Sequence, residues 1–81
     1  MAAEKPLAFT RYELESLLPS GWGLLDATGS WDGRRKRWTG QLRDPADNDW
    51  PLSVSAASAV RLGRLEALRL AIDRLYREAL G

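Results

Sequence analysis

Residues 56–80 read AASAVRLGRLEALRLAIDRLYREAL, and the spacing of their apolar positions fits one structure only. Leu65, Leu68, Ile72, Leu75 and Ala79 recur at steps of three and four, which places them on one stripe of an α-helix at roughly 100° per residue. Leu62, Tyr76 and Leu80 widen the stripe on one side, and Val60 and Ala71 on the other. Burying such side chains is worth about 1.5–3 kcal/mol each before conformational entropy is charged. Arg69, Arg74 and Arg77 alternate with Glu66, Asp73 and Glu78 on the opposite, solvated face. The rest of the chain has to cover the stripe.

The start of this helix has two readings. Ser53 or Ser55 supplies a capping side chain, whereas Gly63 followed by Glu66 three residues later also reads as an N-terminus. Either choice leaves Arg61 and Arg64 near a positive helix end that favours an anion.

Upstream, Thr10 and Glu13 have the spacing of a capping box, and Phe9 and Leu14 that of a hydrophobic staple. A helix of about two turns follows and stops before Pro19. Residues 1–8 read as a flexible arm. Trp22 to Thr28 reads as a first strand, and Gly29 to Gly33 as a turn in which the Asp32-Gly33 pair meets the need for positive φ. Trp31 falls in that turn and is expected to be exposed.

The second strand alternates strictly: Trp38, Gly40 and Leu42 against Arg37, Thr39, Gln41 and Arg43. Gly40 suggests a bulge or the close approach of a helix. Asp44, Pro45 and Asn48 make a second turn. Trp50 to Ala56 is a third strand, which Pro51 marks as an edge. Trp22, Trp38 and Trp50 stand near the starts of the three strands, and the expectation is one cluster at one end of the sheet. These elements predict a two-layer α+β domain over residues 9–81, ordered α-β-β-β-α, with a three-stranded antiparallel sheet packed on a long C-terminal helix.

Composition narrows the chemistry. With 81 residues there is room for one core. The chain has no cysteine and no histidine, so disulfides, thiolate metal sites and the commonest general base are all missing. The serines lack a histidine to activate them, and Asp44, Asp47 and Asp49 lack the glycine and bidentate glutamate of a calcium loop. The expectation is a protein that is not an enzyme and needs no cofactor or metal. No apolar run approaches the ~20 residues of a membrane span, and Glu4 and Lys5 interrupt any leader-like start. A soluble, cytoplasmic protein without membrane contact is expected.

The net charge of +1 conceals segregation. Arg34, Arg35, Lys36, Arg37 and Arg43 face only Asp32 within residues 30–43, while Asp44, Asp47 and Asp49 meet no base within 44–60. Such a basic cluster neutralises phosphates, Trp31 beside it offers a stacking face, and Arg and Gln side chains suit bidentate contacts with guanine and adenine. The candidate nucleic-acid-binding residues are Trp31, Arg34, Arg35, Lys36, Arg37, Gln41, Arg43, Arg61 and Arg64. DNA or RNA is the expected partner; an acidic protein surface, or a second copy of the chain joined through the apolar helix face, is the alternative.

From Phe9 to Leu80 the order of elements resembles the double-stranded-RNA-binding domain. That resemblance implies RNA contacts through the first helix, the loop between strands one and two, and the start of the last helix. Arg34 to Arg37 would then fall in or beside the loop, and Arg61 and Arg64 near the helix start. The family's Lys-Lys-x-Ala-Lys and Gly-Pro-x-His patterns are absent from this chain. The segment Trp38 to Pro45, WTGQLRDP, is similar to the middle strand of the ethylene-response-factor type of DNA-binding domain, which implies that Arg37, Gln41 and Arg43 face the nucleic acid.

Overall fold

The computed structural model describes residues 6–25 and 29–81. Their order is α1 (Arg11–Leu17), β1 (Gly23–Leu24), β2 (Ser30–Asp32), β3 (Arg37–Arg43), β4 (Asp49–Ser55), α2 (Ala56–Leu62) and α3 (Arg64–Leu80). The α+β class holds, with three helices and a four-stranded antiparallel sheet in place of two helices and three strands. Among the described residues no helix is long and apolar enough to cross a membrane.

The capping box forms as its spacing requires. The Thr10 hydroxyl accepts from the Glu13 N–H at 3.1 Å, and the Glu13 carboxylate accepts from the Thr10 N–H at 2.9 Å. Phe9 and Leu14 are both buried. The helix ends at Leu17, and Leu18 is extended ahead of Pro19. Leu7, within the expected arm, packs against the core; residues 1–5 of that arm lie outside the described residues.

β3 is the axis of the sheet. β4 pairs along its whole length, from Arg37 opposite Ser55 to Arg43 opposite Asp49. The other edge is shared by two short strands: β2 lies beside Arg37 to Thr39 and β1 beside Leu42 and Arg43. The expected single strand from Trp22 to Thr28 is therefore short, and Asp26 to Thr28 lie outside the described residues. β2 begins at Ser30, inside the expected turn, because Trp31 sits opposite Trp38 and packs against the core. The turn moves to residues 33–36. Asp32 Oδ1 accepts from the main-chain N–H groups of Arg34 at 3.0 Å and Arg35 at 3.2 Å, and the left-handed position falls on Lys36 (φ 54°), not on Gly33.

Antiparallel pairing also divides the tryptophans. Neighbouring strands start at opposite ends of a sheet, so Trp22 and Trp50 meet at one end with ring centroids 6.5 Å apart. Trp38 lies at the other end, its ring 5.0 Å from Phe9 in an edge-on contact. Gly40 leaves room for that indole: a Cβ there would stand 2.8 Å from the Trp38 ring. The close approach expected at Gly40 comes from a side chain of its own strand, not from a helix. At the end held by Trp22, the Asp44 carboxylate accepts from the Trp50 indole N–H at 2.9 Å and the Asn48 N–H at 2.9 Å. These bonds hold its pKa below the usual carboxylate value, and they make the aspartate-rich segment a turn.

Both readings of the helix start are realised. Ser55 caps α2 by accepting from the Ser58 N–H at 3.1 Å. Gly63, with φ 93° and ψ 149°, breaks the path and starts α3. Only glycine adopts this backbone region at low cost. A Cβ at Gly63 would meet no atom within 4 Å, so Gly63→Ala isolates the backbone term. It is expected to destabilise the fold by about 1–3 kcal/mol, read as a lower urea midpoint; an unchanged midpoint would mean that the elbow straightens freely.

α3 buries Ala67, Leu68 and Ile72 against Trp38, Leu42, Leu52 and Val54. The centre of the stripe is thus rotated toward Ala67 and Ala71, whose small side chains allow the helix close to the sheet. Leu65, expected inside, is 45% exposed.

Candidate functional site

The turn between β2 and β3 holds Arg34, Arg35 and Lys36 at one end of the sheet, all exposed. The Lys36 carbonyl accepts from the Ala56 N–H at 2.8 Å, which fastens this turn to the start of α2. Arg37 opens β3 and is exposed between Asp32 on one neighbouring strand and Ser55 on the other. Arg34, Arg35 and Arg37 have no carboxylate within salt-bridge distance among the described residues. Asp32 is close in sequence, but its Oδ1 is engaged by main-chain N–H groups.

Thr39, Gln41 and Arg43 continue along the same open face of β3, while Trp38 and Leu42 turn beneath α3. At about 3.3 Å per residue the strand carries Arg43 roughly 20 Å from Arg37. There its Nε lies 3.3 Å from Asp49, with both side chains half exposed. Such a pair adds little stability, yet the Asp49 carboxylate offsets part of the charge that Arg43 presents. The basic cluster is therefore confined to the hairpin end.

Two of the expected residues, Trp31 and Arg64, stand apart from it. Trp31 is half buried against the core, so its ring serves packing before recognition. Arg64 binds Glu13 through two nitrogens, at 2.9 and 2.6 Å, donates to the Ala8 carbonyl at 3.0 Å and lies over the Phe9 ring. The anion favoured at this helix start is thus the chain's own carboxylate, and Arg64 ties α3 to α1. Arg61, in the last turn of α2, is exposed and without a carboxylate partner among the described residues.

The Arg64 guanidinium, with help from the Thr10 N–H, lowers the Glu13 pKa from 4.5 to about 2. A carboxylate depressed on folding contributes stability above its unfolded pKa and loses it as pH falls through the folded one. That contribution is expected to be complete above about pH 4.5 and lost toward pH 2. Urea midpoints across this range should fall less steeply for Glu13→Gln than for the unchanged chain; parallel curves would deny the clamp.

The helical period places Arg74 on the solvated face of α3, and it is exposed there. The structure brings it to a groove of about 280 Å³, facing Arg37 and Arg61, between β4 and the elbow of α2 and α3. The spacing from Ala67 and Ala71 to Arg74 places them in one row on the helix, which is the only trace of this in the sequence.

No protein-family model matches the chain, and neither a curated protein nor a solved structure matches it. Function is therefore argued from the chemistry of the site. Among the described residues no group of His, Cys, Asp or Glu is placed to hold a metal ion. Among the described residues, the surface offers arginines without a carboxylate partner at one end and carboxylates at the other.

Proposed function

We propose that this chain is a small nucleic-acid-binding module that acts by contact alone, without catalysis or a cofactor. The observation that carries the reading is the hairpin end, where Arg34, Arg35 and Arg37 are exposed and meet no carboxylate among the described residues. Lys36 and Arg61 extend the basic end, and Gln41 offers an amide further along the open sheet face. Phosphate contacts of this kind supply affinity with little sequence preference. Arg43 contributes less because Asp49 competes for it, and Arg64 and Trp31 support the fold behind the surface. A cytoplasmic location fits this reading.

Titration against duplex DNA, duplex RNA and single strands at two salt concentrations tests it. Affinity is expected to fall steeply with salt; a salt-insensitive interaction, or none with any nucleic acid, counts against the proposal.

One observation favours a second reading, a protein-interaction domain that forms a homodimer or docks its hairpin on an acidic partner. Val60 is 87% exposed at the elbow, with Leu62 and Leu65 partly exposed beside it. A sedimenting dimer, together with a complex that survives nuclease, would favour this alternative.

A further inference from the structure

The groove between β4 and the helical elbow carries charge that no carboxylate among the described residues balances. Arg37, Arg61 and Arg74 line it together with Ser53, Ser55 and Ser58, and among the described residues no aspartate or glutamate does. None of the three arginines has a carboxylate partner among the described residues; the Asp73 carboxylate beside Arg74 in sequence is engaged by Arg77 at 3.1 Å. The Ser55 hydroxyl donates to Ser58 Oγ at 2.9 Å, which leaves the Ser58 proton to donate onward. Like charges held at one recess repel each other, and an anion that enters relieves the repulsion while gaining charge-assisted hydrogen bonds.

The anion's chemistry follows from the number of donors. An internal phosphodiester brings one negative charge and a chain on both sides. A phosphomonoester brings about −1.5 to −2 charges and three acceptor oxygens, and it enters a recess end-on. Ala67 and Ala71, which line the helix side of the groove, carry small side chains that occupy little of it.

We infer that this groove is a phosphomonoester site in which Arg37, Arg61 and Arg74 clasp the phosphate and Ser58 donates a further hydrogen bond. The inference rests on the nucleic-acid reading only for the source of the group, the phosphate at the end of a strand. The module then prefers strand ends that carry a phosphate.

The test compares one short single-stranded oligonucleotide with and without its 5′-phosphate, using inorganic phosphate as competitor. The phosphate is expected to tighten binding by about tenfold, and Arg74→Ala to remove the difference between the two ends. Arg74 is exposed and makes no ion pair among the described residues, so an unchanged circular dichroism spectrum is expected. Arg34→Ala with Arg35→Ala weakens both oligonucleotides alike. Equal affinity for the two ends, or an Arg74→Ala variant that weakens both equally, overturns the site. If no oligonucleotide binds, inorganic phosphate or a phosphoserine peptide that raises the melting temperature of the unchanged protein but not of Arg74→Ala sustains the groove while the nucleic-acid reading falls. Failure of every phosphate probe, or tighter binding of an unphosphorylated acidic peptide, overturns it.

Discussion

Trp38→Ala is expected to destabilise the fold by about 3–5 kcal/mol, the range for deleting a large buried aromatic side chain. Trp38 is 2% exposed and meets Phe9 edge-on with ring centroids 5.0 Å apart. Its indole also lies against two glycines: a Cβ would fall 2.5 Å from the ring at Gly29 and 2.8 Å from it at Gly40. The backbone has thus been cleared to receive the ring, and strands and helices on either side cannot collapse readily into the space it leaves. Against a total stability of about 5–15 kcal/mol for a domain, such a loss removes a large part of the folding free energy. Urea denaturation checks this through a lower midpoint at unchanged slope. A cost under about 1 kcal/mol would show that the ring is not held as the core requires.

The second large effect concerns binding. Arg35→Ala combined with Arg37→Ala is expected to flatten the dependence of log affinity on log salt by roughly 1.4–1.8, since each phosphate contact contributes about 0.7 on a single strand and 0.9 on a duplex. Affinity at moderate salt should fall with it, by on the order of tenfold or more. Both side chains are exposed and make no ion pair among the described residues, so their loss leaves no carboxylate stranded. Arg43→Ala is the internal comparison, because Asp49 already shares its charge, and a smaller change is expected there. Equal slopes for the double variant and the unchanged chain would remove the hairpin from the interface.

Much of this architecture can be read in the chain because it depends on local spacing. The Thr10–Glu13 box, the strict alternation of β3 and the period of α3 each follow from residues within a turn or two of one another. Capping and periodicity act over short range, so they survive without knowledge of the rest of the fold. Gly63 is the instructive middle case. Two start signals within nine residues gave an ambiguous helix, and the ambiguity was real: the chain uses both and bends between them.

The site depends on contacts that spacing does not encode. Arg64 looks like any arginine at a helix start until Glu13, 51 positions earlier, is found against it. Trp31 reads as turn until its cross-strand partner Trp38 is in place, and Arg74 reads as one more exposed helix arginine until β4 lies alongside α3 and Arg37 joins it in one groove. The amino-acid sequence by itself determined the helix–sheet class, the outward row of Arg37, Gln41 and Arg43, and the basic hairpin. Only the tertiary structure decided which cations are balanced and which are left over, because a side chain's charge is neutralised by whatever the fold brings near it, and proximity in space is not a property of neighbours in sequence.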